Sequence, residues 1–242
     1  PEKYKKWLNE EVVYIITPKE REVFLKLETD RERDIFIEAF WKHRDPTPGT
    51  PENEFKDEHY KRLAYANEYF RRGTSRPGWM TDQGRVYIIL GQPQTIEDDS
   101  NINGVFPVQI WFYLGDPAYG LPSGFHIIFF RKYGTGEYVL YSPVDDGPES
   151  LIADWGVGTY QDQQPPGVYS STQAAYKQLL KLAPNMAYQT LSLIDGERVP
   201  AGTVSLASMK LINDVESYPQ KKVEDAYAEA LLKYKDVIDV DY

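Results

Sequence analysis

Asp82 and Arg85 stand three residues apart, on either side of Gly84, just ahead of the apolar run Val86-Tyr87-Ile88-Ile89-Leu90. A carboxylate in such a turn can accept from the turn's own amides and from a guanidinium. If the two groups face an open cleft, Arg85 becomes an anion clamp and Asp82 a base or orienting group. If they do not, they form a structural clasp with Trp79 packed beneath as an anchor, the commoner fate of loop carboxylates. A second constellation gathers His43, Asp45, Glu54, Glu58 and His59 around a Pro-rich connection. Imidazole with two carboxylates could hold zinc or manganese. But Glu54 and His59 are five apart, the wrong spacing for one helical face, and there is no His-x-x-x-His pair. Capping and ion-pair roles are expected for Asp45 and Glu54, a satisfied core position for His59, and no metal or cofactor. A third set, Glu97, Asp98, Asp99, Asp145 and Asp146, lacks the spacing of a calcium loop and reads as solvated surface. No catalytic residue is assigned, because there is no Gly-x-Ser-x-Gly elbow, no phosphate-cradling Gly-rich loop with Lys, and only three histidines to act as a base.

The elements that must hold these residues begin with explicit helix starts. Thr17-Pro18-Lys19-Glu20 and Thr29-Asp30-Arg31-Glu32 are capping boxes, the first with Pro at the opening helical position. The second opens a helix striped by Ile35, Phe36, Ala39 and Phe40 that stops near Arg44, where Asp45-Pro46 disfavours helical dihedrals. A third helix is expected from about residue 52 to 72, with Thr50 as cap, Phe55, His59, Leu63, Ala66 and Phe70 on one face, and Gly73 as stop. After Arg76-Pro77-Gly78 the period changes to two. Strands are expected at about 85–90, 107–113, 124–131 and 136–142 in an antiparallel meander, with a long acidic loop over 92–106 and a hairpin at Tyr133-Gly134-Thr135-Gly136. Phe125, Ile127 and Phe129 alternate with His126, Ile128 and Phe130, so both faces of that strand must be covered. The N-terminal helices can cover one; the other needs the C-terminal segment or a partner. Beyond a Pro/Gly-rich crossing at 143–169, a helix is expected at 171–183, a strand at 188–194, and helices near 203–213 and 220–234. The run Val237 to Tyr242 alternates up to the terminus, which suggests a cut at a domain junction.

The fold class is thus α+β: a helical N-terminal layer on an antiparallel meander, followed by a mostly helical C-terminal segment with a short strand. One unit is expected over residues 1–150, with helices in 1–73 and the sheet in 79–142, and an α-rich segment over 151–242. The charge of −10 is uneven: residues 1–78 carry 16 basic and 16 acidic side chains, 79–150 carry 3 and 9, and 151–242 carry 8 and 12. An acidic sheet region argues against nucleic acid as a partner. There is no cysteine, so disulfides, thiolate metal sites and Cys nucleophiles are excluded. No apolar run approaches the roughly 20 residues that span a bilayer. Nineteen Tyr and five Trp supply either an aromatic core or an amphipathic surface.

The stretch Gly78-Trp79-Met80-Thr81-Asp82 followed by Gly84-Arg85-Val86-Tyr87-Ile88 and Gly91-Gln92-Pro93 resembles the signature of the GWxTD domain, a bacterial family without an established activity. Phe40 to Phe55, Ile110-Trp111-Phe112-Tyr113 and Gly134 to Tyr138 are similar to its flanking segments, so the resemblance covers roughly residues 1–150. Leu191 to Ile194 and Tyr234-Lys235-Asp236 look like longer members. Gln83 stands where members often carry a second Arg, which counts against an anion site at the turn. The resemblance implies an exported origin, periplasmic, cell-surface or extracellular, which a chain opening at Pro1 suits. The expected role is a non-catalytic protein–protein interaction or assembly module with other subunits as partners, possibly a homo-oligomer. The alternatives are a hydrolase or carbohydrate-active domain with its cleft at Asp82 and Arg85 and a second carboxylate from Asp45 or Glu54, and a sugar-binding module using Trp and Tyr platforms. The candidate binding residues are Trp79, Asp82, Arg85, Asp45 and Glu54.

Overall fold

The computed structural model describes residues 1–143, 145–155, 171–192 and 207–234. Helices α1 (Glu2–Lys6), α2 (Pro18–Lys26), α3 (Asp30–Lys42) and α4 (Glu54–Tyr69) come first, α1 running on into a π-helical turn at Trp7–Glu11. Both capping boxes form: Thr17 and Thr29 accept from the amides of Glu20 and Glu32, whose carboxylates return to the cap amides. The next cap departs from the expectation. Asn53, not Thr50, accepts from Lys56 N at 2.9 Å and starts α4, because the Thr50 hydroxyl bonds within its own turn, to the carbonyls of Thr47 and Glu52.

The larger correction falls on the signature run. Residues Asp82–Leu90 form helix α5, not a strand. Val86, Ile88 and Ile89 are all buried, and six residues cannot separate a period of two from one of 3.6. End chemistry decides instead: Thr81 Oγ1 accepts from Gly84 N at 3.0 Å, and Gly91, at φ 82°, ends the helix. The sheet still has four strands, β1 (Thr95–Asp98), β2 (Val108–Leu114), β3 (Gly124–Phe130) and β4 (Val139–Leu140), paired antiparallel in chain order. The first lies in the segment read as an acidic loop. The hairpin between β3 and β4 turns through Tyr133 and Gly134, both at positive φ.

Helices α6 (Ser171–Leu182), α7 (Pro184–Ser192), α8 (Ala207–Lys221) and α9 (Ala226–Lys233) complete the described elements. The strand expected at 188–194 is helical through Ser192; residues 193–194 and the alternating run at 237–242 lie outside the described residues. Both sheet faces are covered. Val108, Ile110, Ile128 and Phe130 pack with Leu179, Met186 and Ala187 of α6 and α7. Trp111, Tyr113, Ile127 and Phe129 pack with Val86 and Ile89 of α5 and Val215 of α8. A third core joins Trp7, Phe24, Phe36 and Phe40 with Ala228 of α9. Each fully buried Phe or Ile contributes roughly 2 kcal/mol from lost apolar surface. The N-terminal helices reach the sheet mainly through α4 and α5, where the Phe70 and Trp111 rings lie 5.5 Å apart.

Candidate functional site

The signature segment is built by close approach. A Cβ on Gly78 would lie 1.8 Å from the Ala66 carbonyl oxygen, and one on Gly84 would lie 1.9 Å from that of Gly78. Only glycine lets the 3-10 turn Gly78–Met80 sit on the α4 backbone and α5 sit on that turn. Trp79 is half-buried; its amide donates to Asn67 Oδ1 at 3.0 Å and its carbonyl accepts from the Tyr14 hydroxyl at 2.8 Å. Asp82 Oδ2 accepts from Leu140 N at 2.8 Å, occupying an amide on the edge strand β4, while Oδ1 lies 3.5 Å from Arg85. Arg85 reaches Glu216 of α8 at 3.2 Å. Each side chain of the pair therefore ties α5 to another element, Asp82 to β4 and Arg85 to α8, and neither lines either of the two cavities described below.

Asp45 and Glu54 are brought together elsewhere, through Thr47. Asp45 Oδ1 accepts from Thr47 N at 2.9 Å and Glu54 Oε2 from the Thr47 hydroxyl at 2.5 Å. That bond holds the Glu54 carboxyl below its ordinary pKa, the opposite of what a general acid requires. Both line a cavity of about 590 Å³ that is closed by Ile88 to Leu90 of α5 and by Tyr218 and Lys222. His43 and His59 border it too, but His43 stacks on Tyr227 at 3.9 Å, and His59 Nε2 donates to the Glu11 carbonyl at 2.6 Å. Burial pushes His59 down to about 4. Among the described residues, no three His, Asp or Glu side chains converge as metal ligands would.

A second cavity, about 480 Å³, opens between the end of α4, the cap of α5 and one end of the sheet; none of the five candidate binding residues lines it, and of the acidic set only Asp98 does. Gln83 donates to Gln109 Oε1 at 2.9 Å, Trp111 Nε1 shares that oxygen at 3.3 Å, and Gln109 Nε2 donates to Asp98 at 3.1 Å. Bonds to Ser100 and Gln109 hold the Asp98 carboxyl below its usual range. The Arg131 guanidinium lies over the Tyr138 ring at 5.0 Å and makes no hydrogen bond or ion pair among the described residues; its Nε is buried and unpartnered. Glu137 is bound at one oxygen by Arg76 at 2.7 Å, and its other oxygen is buried without a partner. One signal for this site was present in the sequence. Arg131 is one of only three basic residues between 79 and 150.

Together these features define an α+β domain whose most specified segment is a glycine-packed, Thr-capped helix between two cavities. Residues 2–117 match the GWxTD domain family, and the chain carries a GWxTD domain over that span, from α1 through β2. The match stops short of residue 150, to which the motif resemblance extends. Among curated proteins and among solved structures, none matches the chain.

Proposed function

We propose that this chain is a non-catalytic assembly module of an exported bacterial protein, and that its partner is a second copy of itself. One observation carries this: a cluster of tyrosine rings in mutual contact on the outer faces of α4 and α5. Tyr65 and Tyr69 are 40% and 45% exposed, their rings 4.4 Å apart, and Tyr65 stacks on Tyr87 at 4.5 Å. Tyrosines already held against one another bury large area at low entropic cost, which is the composition of interface anchors. Lys61, one turn earlier on the same stripe, and Arg71 just beyond the helix make no ion pair among the described residues. The surplus of negative charge in residues 79–150 of a second molecule would complement them.

The covered sheet faces no longer support assembly, since the chain's own helices cover them. Sedimentation equilibrium at micromolar concentration tests the proposal. A dimer that weakens in about 0.5 M salt and is lost in Tyr65→Ser/Tyr69→Ser is expected, because exposed charge pairs are screened over a few ångströms at that salt. A strictly monomeric wild-type chain overturns it. Export is checked separately, by fractionating native cells with an antibody to the chain.

A further inference from the structure

The cavity of about 590 Å³ has an apolar floor and accessible charges that do not balance. Ile15, Phe55, Ile88, Leu90 and Val223 supply the floor. Of the cations in its wall, Arg44 is matched by Glu20 and Arg62 by Glu58. Arg62 Nη1 also donates to the carbonyls of Ile88 and Ile89, at 3.4 and 3.3 Å. Burial lowers the pKa of both His43 and His59, so neither ring is charged at neutral pH. That leaves one positive charge against two negative ones. Lys222 is the positive group; it donates to the Tyr218 hydroxyl at 3.2 Å and lies over the Tyr218 and Tyr119 rings at 5.0 and 5.6 Å. Asp45 and Glu54 are the negative ones, each with one oxygen on Thr47 and no ion pair among the described residues. Glu54 is exposed and Asp45 half-buried, so a ligand can reach both carboxylates.

A separate observation points the same way. His59 lines this space at 3% exposure, and because its Nε2 donates to the Glu11 carbonyl, Nδ1 of the neutral ring is an acceptor; no donor among the described residues meets it. The C-terminal ends of α3, α5 and α8 also border the cavity, and the last carbonyls of a helix favour positive charge. The one helix that begins there, α4, has its first amides capped by Asn53. What the cavity lacks is a charged donor, and its floor suits an apolar body. We propose that it binds an ammonium group carried on an apolar stem, with the charge on Asp45 and Glu54 and the stem against Ile15, Phe55 and Leu90. The ammonium belongs either to a free amine or to a lysine side chain of another polypeptide. None of Tyr65, Tyr69 and Tyr87 lines this space, and binding is read separately from self-association.

Isothermal titration calorimetry of the full chain with 2-phenylethylammonium, methylammonium, 2-phenylethanol and 3-phenylpropionate tests it. The first is expected to bind about 10-fold or more tighter than each of the others, the size of one charge-assisted hydrogen bond or of one buried apolar group. The source is read by comparing butylammonium with a capped Gly-Lys-Gly peptide, whose side chain it matches. A peptide that binds tighter identifies a polypeptide; one that binds equally or more weakly identifies the free amine. Asp45→Asn/Glu54→Gln keeps an acceptor oxygen for Thr47 at both positions and removes the charges. It should weaken 2-phenylethylammonium about 10-fold with an unchanged melting temperature. Asp57→Asn, exposed on the same helix and off the cavity, should leave the affinity as it is. Absence of binding by 2-phenylethylammonium at about 10 mM overturns the proposal, as does phenylethanol, methylammonium or phenylpropionate binding as tightly. Wild-type affinity in the double variant, or an equal loss in Asp57→Asn, overturns it too.

Discussion

His59 shows how a residue of catalytic type is absorbed by a core. It projects from α4 between Trp41 and Phe55, with ring distances of 5.6 and 6.4 Å, and its Nε2 proton goes to the Glu11 carbonyl. Burial is the main cause of its low pKa, and the nearby Arg62 and Arg44 add to it. The folded chain therefore binds fewer protons at this site than the unfolded chain between about 6.5 and 4. Its contribution to stability is present above 6.5 and is lost as pH falls through that window. The expected loss from this group between pH 7 and pH 5 is about 2 kcal/mol. Urea unfolding of wild type and of His59→Gln at both pH values checks it. The wild type should lose more stability than the variant over that interval, and equal losses would refute the assignment.

At the scale of elements, α5 was the test of how much the sequence reveals. Thr81 and Gly91 were both visible as an N-cap residue and a C-terminal glycine ten residues apart, yet the alternation of Val86, Tyr87, Ile88 and Ile89 reads equally well as a strand. What the sequence could not display is the backbone contact of Gly84 with Gly78 and of Gly78 with Ala66, which needs α4 already in place. The capping boxes of α2 and α3 were legible because their partners lie three residues apart. The cavity holding Arg131 and Glu137 was not, because its walls come from four separate elements. Thr81→Ala removes both the bond from Gly84 N and the one Thr81 donates to the Gly78 carbonyl, at 2.8 Å. It should cost about 1–2 kcal/mol, with Thr81→Ser recovering most of it. Gly84→Ala should be far worse, since its methyl has no room against backbone. Thermal melts of the three variants decide the order, and a well-folded Gly84→Ala would sink the close-packing account.

Across the described residues, early and late helices meet at one buried carboxylate. Glu20, which the sequence marks only as a capping-box partner, is fully buried and has both oxygens engaged. Arg44 donates to them at 2.8 and 2.7 Å, Thr17 N at 2.9 Å and the Tyr227 hydroxyl of α9 at 2.6 Å. Arg44 also donates to the carbonyls of Phe40 and Ile15, and Thr17 Oγ1 to Asp225. Arg44 thus spans three early segments, while Tyr227 and Asp225 attach the C-terminal helix to the same point. The energetic sign of such a pair is asymmetric: breaking it strands a buried charge, whereas replacing both partners removes the desolvation cost as well. Glu20→Gln should therefore destabilise by about 3–5 kcal/mol, and Glu20→Gln/Arg44→Met by less than the single change. Tyr227→Phe should cost about 1.5–3 kcal/mol, as for loss of one bond to a charged acceptor. If the network joins these helices as a unit, hydrogen exchange in Tyr227→Phe will quicken in α2 as well as in α9. Faster exchange confined to α9 would mean that the C-terminal helix only rests on a core that is complete without it.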